Sequence, residues 1–197
     1  MPYAAGLSTA LLLSGCGVSV PPAGPATAPL VAPSDSTGVA SGGTPTARAT
    51  TTSVEVDPVV AKIPKAARPN TQAGAEAFAK FYYEQVAKAW MKPDPALLDG
   101  LSAESCNTCT AFRETADYMK AHGERYEISP LTVQSVSAIS FSPKKTEIAV
   151  AGEGSESRVV DKSGRLVRTA PEEGKTTFVA TLVFRDHWVV VRSQVEQ

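Results

Sequence analysis

The sequence predicts an α+β domain in which three helices come first and a bent antiparallel sheet of about four to six strands follows. Two observations support this prediction. Apolar residues recur with the helical period of 3.6 between residues 71 and 123, and with the strand period of 2 from residue 126 onward. Helices followed by a run of strands indicate helices packed on an antiparallel sheet, because parallel strands would alternate with helices.

Three helices are predicted from apolar spacing and from their start and stop residues. The first begins at Asn70 or Thr71 and ends before Pro93. The second is short, because Asp94-Pro95 offers an N-cap with proline at the first helical position and Gly100 follows soon after. The third ends at Gly123, a residue suited to a helix C-terminus. The apolar positions predicted to share one face are Phe78, Phe81, Tyr82, Val86, Ala89 and Trp90 in the first helix, and Cys109, Phe112, Ala116 and Met119 in the third.

The strands are predicted from alternation and turn residues. Residues 126–141 alternate in two phases, which indicates a strand with a bulge. A turn at 143–145 leads to a strand from Thr146, and residues 158–168 form a hairpin about 162–164. The strongest strands are 176–184 and 188–195. A two-residue turn at Asp186-His187 would pair Phe184 with Val189 and Leu182 with Val191.

The N-terminus predicts export. Residues 4–13 are apolar and lead into Leu13-Ser14-Gly15-Cys16, so residues 1–15 are predicted to be a signal peptide. Leu-Ser-Gly-Cys resembles the bacterial lipoprotein box, in which the cysteine thiol accepts a diacylglyceryl group and the signal peptide is removed just before it. The resemblance implies lipid attachment at Cys16. The predicted location is extracytoplasmic, at the outer face of the cell membrane, with the membrane itself as a partner.

Residues 16–70 are predicted to form a disordered tether that begins with the lipidated cysteine. They are rich in Pro, Ala, Ser, Thr and Gly, and the only charges from Gly17 to Ser53 are Asp35 and Arg48. Too few large apolar side chains are present to offset the entropy lost on ordering. About 54 flexible residues have an average reach of about 40 Å. Residues 71–197 are then a single α+β domain.

Composition excludes two classes of protein. The net charge is −1, and the basic residues of the C-terminal two-thirds are interleaved with acids, so the electrostatic signature of a nucleic-acid partner is absent from the sequence. No apolar run approaches the roughly 18–20 residues that span a bilayer. Attachment to a membrane must therefore come from lipid or from a partner.

Cys106 and Cys109 are the first candidates for chemistry. Lipidation of Cys16 leaves an even pair of the three cysteines, and positions i and i+3 near a helix start lie about 5–6 Å apart, within disulfide range. The favoured interpretation is a structural disulfide. The alternative is a thiol–disulfide oxidoreductase, because a helix N-terminus lowers a cysteine pKa. One CxxC supplies only two zinc ligands, so neither a metal nor a cofactor is predicted.

The two histidines are expected to be solvated. His122 lies at a helix end, where a cation interacts favourably with the last carbonyls. His187 occupies a predicted hairpin turn, which is a poor position for a catalytic base.

Helices followed by a long bent sheet with a tryptophan in its last strand resemble the ketosteroid-isomerase-like cone fold. More specifically, the chain resembles an uncharacterised family of actinobacterial lipoproteins. The residues that support this are the lipoprotein box, the low-complexity tether, Ala77-Phe78-Ala79-Lys80-Phe81-Tyr82-Tyr83 and Ser105-Cys106-Asn107-Thr108-Cys109. That resemblance implies a fold and a location but brings no known activity.

Cone-fold relatives use an aspartate base and a tyrosine donor in an apolar pocket, and the nearest candidates here are Tyr82, Tyr118, Asp94 and Asp117. The residues predicted to line a pocket are Tyr82, Trp90, Tyr118 and Trp188. The leading hypothesis is a lipid-anchored, non-enzymatic domain that binds a small ligand or an envelope protein. The alternatives are a cone-fold enzyme and the thiol oxidoreductase.

Overall fold

The computed structural model describes residues 57–171 and 174–196. The predicted signal peptide, Cys16 and the tether as far as residue 56 lie outside the described residues. The described part belongs to one compact unit, residues 51–197. Its helices are α1 (Pro58–Lys62), α2 (Gln72–Met91) and α3 (Asn107–His122), with short 3₁₀ helices at Lys65–Ala67 and Pro95–Leu98.

The predicted helix ends are confirmed by the caps. The Thr71 hydroxyl accepts a hydrogen bond from the Gly74 amide and begins α2, and α2 ends two residues before Pro93. Asp94 caps the 3₁₀ helix that starts at Pro95. Gly123 ends α3 with a φ of 66°, the left-handed conformation that glycine adopts without steric cost.

Ordered structure begins earlier than predicted, because residues 57–70 fold onto the domain. Asp57 caps α1, and the side chains of Ile63 and Ala67 are buried. Trp188 Nε1 donates a hydrogen bond of 2.9 Å to the Pro69 carbonyl. The prediction that the tether extends to residue 70 is therefore wrong, because this segment supplies apolar side chains of its own, Val59, Ile63 and Ala67, that pack on the core.

Seven strands are described, and they form two antiparallel sheets where one sheet of about four to six strands was expected. The larger sheet has the order β2-β3-β6-β7 and the smaller has the order β1-β4-β5. The strands are β1 (Arg125–Tyr126), β2 (Thr132–Ser140), β3 (Thr146–Gly154), β4 (Ser157–Val160), β5 (Leu166–Ala170), β6 (Gly174–Phe184) and β7 (Trp188–Glu196). Helices packed on antiparallel strands give the predicted α+β, cone-like fold.

The two-phase alternation of residues 126–141 has a structural cause. Its first residue, Tyr126, belongs to β1 in the smaller sheet, and β2 in the larger sheet shifts register twice, between Val133 and Ser135 and between Ala138 and Ser140. The hairpin about residues 162–164 is confirmed by the pairing of β4 with β5.

The predicted register of the last hairpin is wrong. Phe184 pairs with Trp188 and Leu182 pairs with Val190, not with Val191. Three residues, 185–187, separate the strands, and the register also shifts between Thr181 and Leu182. The bulge keeps Leu182 and Val190 buried on the same face, so the apolar surface is preserved.

The larger sheet has two unlike ends. At the end that we name the closed end, the β2–β3 turn and the β6–β7 turn lie side by side, since Thr146 pairs with Leu182. Trp188 is fully buried there beneath the segment 57–70. At the opposite end, named the open end, α2 and α3 leave a cavity above the sheet.

Both outer strands of the larger sheet carry additional hydrogen bonds. Ala138 of β2 donates its amide to Glu76 Oε1 at 3.0 Å. On β7, Val190 exchanges backbone hydrogen bonds with Leu101 and Ala103. The Thr108 hydroxyl adds a bond of 2.9 Å to the Ser193 carbonyl.

Candidate functional site

The cavity at the open end has a volume of about 440 Å³, within the range of small-molecule sites. It lies between the last turn of α2, the middle of α3 and the ends of several strands. Its lining is mostly aromatic and aliphatic. The lining residues are Trp90, Ala111, Phe112, Thr115, Tyr126, Pro130, Leu131, Gly154, Ser155, Ala170, Pro171, Thr176, Phe178 and Val195.

Aromatic rings form one wall of this cavity. The Trp90 ring meets Phe112 edge-on at 5.6 Å between centroids and lies 6.1 Å from Tyr126. Phe112 in turn meets Phe178 at 6.3 Å. Edge-on ring pairs at these distances are energetically favourable, so the rings stabilise one another in this arrangement.

The cavity offers few groups for chemistry. Trp90 Nε1 is bound to the Phe112 carbonyl at 2.9 Å, and the Thr115 hydroxyl is bound to the Ala111 carbonyl at 2.9 Å. Among the described residues, the lining contains no aspartate, glutamate, histidine, lysine or arginine. A site of this kind binds apolar surface by excluding water, and its described lining supplies no carboxylate, imidazole or amine for proton transfer beside the Tyr126 hydroxyl.

A second cleft, of about 520 Å³, lies beside the N-terminal half of α3 and is polar. Two of its three charged residues are paired, since Arg113 Nη1 lies 2.8 Å from Asp99 Oδ1, and the third is Glu104. It includes Cys109 but contains no aromatic residue. The apolar cavity is therefore the better candidate for a ligand site.

Of the four residues predicted to line a pocket, the structure places only Trp90 at the cavity. Tyr82 is fully buried in the core and Trp188 is buried at the closed end. Tyr118 is 49% exposed on the outer surface of α3, where its ring stacks on His122 at 3.9 Å. The prediction that these four residues form one pocket is therefore wrong, because Tyr82 points into the core, Tyr118 points to solvent, and Trp188 lies in β7 at the other end of the sheet.

The two adjacent tyrosines of α2 differ in their partners. The Tyr83 hydroxyl shares a hydrogen bond of 2.7 Å with the Ser193 hydroxyl, whereas the Tyr82 hydroxyl has no hydrogen-bond partner of regular geometry among the described residues. Burial raises the pKa of Tyr83 to about 12, opposed by the bond to Ser193. Burial also raises the pKa of Tyr82, which the nearby Ser102 side chain partly offsets. Both phenols are held neutral by the core.

The two aspartates suggested by cone-fold enzymes do not reach the cavity. Asp94 caps the 3₁₀ helix by accepting the Ala96 amide at 3.3 Å. Asp117 is exposed on α3, and neither residue is part of the cavity lining. The predicted residues therefore do not supply an aspartate base and a tyrosine donor that could act together on a ligand in this cavity.

Cys106 and Cys109 lie at the start of α3 with their sulfurs 2.04 Å apart, the separation of a disulfide. Both residues are only 2% exposed. Cys106 is also the N-cap of α3, where its sulfur accepts the Cys109 amide at 3.3 Å. An exchange enzyme must present a sulfur to its substrate, so this burial favours a structural role for the pair.

The histidines have different surroundings. His122 is exposed, and its Nδ1 lies 2.8 Å from the Tyr118 carbonyl near the end of α3. His187 is more enclosed than expected: its Nε2 lies 3.0 Å from the Gly100 carbonyl, while its Nδ1 is buried without a described partner. The expectation that His187 is solvated is wrong because the 99–103 segment packs along β7.

Sequence reasoning missed most of the cavity. The apolar spacing predicts a helix face for Phe112 but no site. For the other lining residues it predicts only strands, and these are Tyr126, Leu131, Phe178 and Val195. The one available signal was the crowding of aromatic residues near the end of α2 and the middle of α3. These side chains come from separate elements, so only the fold brings them together.

Within residues 57–171 and 174–196, no three His, Cys, Asp or Glu side chains come together as a metal site would require. In the same residues, no helix is both long and apolar enough to cross a membrane.

Residues 47–194 match a family described as a family of unknown function, DUF6318. The match spans about three quarters of the chain, including all of the helices and nearly all of the sheet. The chain belongs to the DUF6318 family. Membership confirms the expectation of an uncharacterised family, whereas the lipoprotein part of that expectation stays a prediction. No curated protein matches the chain.

Solved structures similar to the chain share little sequence with it. The intermembrane-space region of the chloroplast protein ARC6 is 13% identical with a TM-score of 0.47, over 64% of this chain and 95% of that one. A putative scytalone dehydratase from Novosphingobium aromaticivorans is 13% identical with a TM-score of 0.40, over 60% and 79%. An NTF-2-like protein of unknown function from Shewanella oneidensis is 12% identical with a TM-score of 0.35, over 61% and 97%. These likenesses carry no functional argument.

Proposed function

We propose that the protein is a lipid-anchored envelope protein whose domain binds a small, uncharged apolar ligand in the cavity at the open end. The observation that supports this best is the aromatic wall around a space of about 440 Å³, without a charged group among its described lining residues. A charged ligand would lose its hydration there without gaining a counter-charge, whereas an uncharged apolar ligand gains from leaving water.

Two features support the location in this proposal. Leu13-Ser14-Gly15-Cys16 has the pattern of a lipoprotein box, and two acyl chains on Cys16 would hold the protein firmly to a membrane. The paired sulfurs of Cys106 and Cys109 are consistent with export, because disulfides persist in oxidising compartments outside the cytoplasm. The proposed position is the outer face of the cell membrane.

Ligand binding is tested by titrating the protein with Nile red, an uncharged apolar dye whose emission shifts to shorter wavelength in a dry site. We expect saturable binding that Ala111→Phe weakens about tenfold or more, because the new ring fills the cavity beside Phe112. The matched control is Ala121→Phe, the same change at an exposed position of α3 outside the cavity. Equal affinity in both variants, or no saturable binding, would exclude this cavity as the site.

The anchor is tested separately by expressing the full chain in a bacterium that processes lipoproteins. We expect the membrane fraction to contain a protein that begins at Cys16 and carries the mass of the added lipid. Cys16→Ser should abolish that modification, whereas a Cys106→Ser/Cys109→Ser double variant should retain it. Unmodified protein in the membrane fraction would contradict the anchor but would leave the cavity hypothesis intact.

A further inference from the structure

Four of the residues that line the cavity at the open end carry a hydroxyl group, namely Thr115, Tyr126, Ser155 and Thr176. Two of these residues already have partners. The Thr115 hydroxyl donates a hydrogen bond to the Ala111 carbonyl, and Tyr126 interacts with other groups of the chain. In the part of the chain that the structure describes, the Ser155 and Thr176 hydroxyls have no hydrogen-bond partner. These two hydroxyls are therefore available to a ligand.

The register of the larger sheet explains why the Thr176 hydroxyl is left without a partner. Thr176 and Phe178 are two residues apart on β6, so both side chains lie on the face that borders the cavity. The residue paired with Thr176 on β3 is Gly152, which has no side chain to bind a hydroxyl. The space above Gly152 is taken by Leu131, whose Cδ1 would lie 2.7 Å from a Cβ there. The neighbours of Thr176 on this face are therefore apolar.

A pair of glycines connects this position to the mouth of the cavity. The next pair on the same face is Gly154 with Gly174, so no side chain of this pair separates Thr176 from Ser155, which follows Gly154. Ser155 is exposed, whereas Thr176 is half-buried. The two free hydroxyls thus follow one another from the mouth of the cavity toward its interior.

The free hydroxyls and the aromatic wall come from different layers of the fold. Ser155 and Thr176 belong to the β3–β4 turn and to β6, whereas Trp90 and Phe112 belong to α2 and α3. A hydrocarbon that covered both hydroxyls would displace their water without replacing its hydrogen bonds, and that loss costs free energy. A ligand with one polar group avoids this cost, because a hydroxyl can both donate and accept a hydrogen bond.

We propose that the ligand of this cavity is an apolar molecule with one uncharged hydrogen-bonding group, which Ser155 and Thr176 bind. This proposal rests on the proposed function, since it concerns the same cavity. The apolar body of the ligand lies against Trp90 and Phe112, and its polar group points toward the mouth. The two hydroxyls distinguish such a ligand from a hydrocarbon of the same shape. The lack of charged groups in the described lining distinguishes it from a carboxylate.

Three ligands of one shape test this specificity. They are methylnaphthalene, naphthalenemethanol and naphthoate, each substituted at the same ring position, and their affinities are measured by displacement of Nile red. We expect the alcohol to bind at least as tightly as the hydrocarbon, although the alcohol loses more hydration on leaving water. We expect naphthoate to bind about tenfold more weakly than the alcohol or worse, because its charge gains no partner.

A double variant tests the two residues directly. Ser155→Ala/Thr176→Val removes both free hydroxyls with little change in shape, and it should lower the affinity for the alcohol relative to the hydrocarbon about tenfold. The affinity for methylnaphthalene should not fall. The matched control is Thr115→Val, which removes a lining hydroxyl that is already bound to the Ala111 carbonyl. It should leave the ratio of the two affinities unchanged.

Three results would overturn the proposed specificity: weaker binding of the alcohol than of the hydrocarbon by the unaltered protein, an unchanged ratio in the double variant, or an equal fall of the ratio in Thr115→Val. In each of these cases, saturable binding of Nile red and methylnaphthalene would leave the proposed function intact. Absence of saturable Nile red binding would refute the cavity as a site, and the specificity with it. Circular dichroism of each variant establishes that it is folded.

Discussion

The closed end and the open end of the larger sheet each contain a tryptophan, but the two side chains have different surroundings. The Trp188 indole N–H donates a hydrogen bond of 2.9 Å to the Pro69 carbonyl, and the Trp90 indole N–H donates one of 2.9 Å to the Phe112 carbonyl. Trp188 is fully covered by Phe141, Phe184 and the segment 57–70, whereas one side of Trp90 borders the cavity. A tryptophan that the chain covers stabilises the domain, whereas a tryptophan that the chain leaves partly uncovered offers a surface for binding.

The largest expected effect is that of Trp188→Ala, which should lower the free energy of unfolding by about 3–5 kcal/mol, because it leaves a large cavity and releases Pro69. Trp90→Ala should cost clearly less, since its ring already borders empty space. Chemical denaturation measures both. Equal losses would contradict the distinction between a closed and an open end.

Between the two ends lie Tyr82 and Tyr83, whose pKa values burial raises. Because the folded pKa lies above the unfolded value of about 10, their contribution is complete below pH 10 and is lost as the pH rises through about 12. For Tyr83 a shift of this size corresponds to about 3 kcal/mol. Unfolding by denaturant between pH 9 and pH 12 should show this loss. A Tyr82→Phe/Tyr83→Phe variant with the same alkaline slope would refute it.

Two glycines give a smaller and more local comparison. A Cβ at Gly74 would lie 2.1 Å from the Pro69 carbonyl oxygen, so Gly74→Ala should push α2 away from the closed end and cost about 1–3 kcal/mol. A Cβ at Gly152 would meet Leu131 Cδ1 at 2.7 Å, but Leu131 borders the cavity and can move into it. Gly152→Ala should therefore cost less. Thermal unfolding of both variants tests which substitution destabilises the domain more. A larger loss of stability for Gly152→Ala would contradict the prediction.

The smallest effects are expected for single tyrosine hydroxyls. Tyr83→Phe leaves Ser193 without its partner and should cost about 1 kcal/mol. Tyr82→Phe removes a hydroxyl that has no regular partner among the described residues, so its effect should be close to zero or slightly stabilising. Denaturant midpoints measured at pH 7 separate the two. A larger loss for Tyr82→Phe would show that its hydroxyl makes a stabilising bond, to Ser102 or to a water molecule.

The sequence predicted the helices well because their caps are local. Thr71, Asp94-Pro95 and Gly123 act on residues within one turn of themselves. It predicted the last hairpin in the wrong register because the bulge beside Leu182 depends on keeping that side chain in the core. The local alternation of apolar residues contains no information on whether the strand forms that bulge.

Features that depend on distant contacts were missed for the same reason. Segment 57–70 is bound to Trp188, more than a hundred residues along the chain, and the local sequence pattern does not reveal that contact. The cavity is lined by residues of α2, α3 and several strands. Of these lining residues, Trp90 alone is among the four that the sequence predicts to line a pocket.

The bond between Glu76 and the Ala138 amide has a consequence for molecules that are crowded together. A bare outer strand offers its backbone to the same strand of a neighbour, and sheets can then grow from one molecule into the next. At β2 the Glu76 carboxylate occupies one of the donors that such growth would use, and it places a negative charge beside the strand. The hydrogen bond and the charge therefore make β2 a poorer partner for the backbone of a neighbouring molecule than a bare outer strand would be.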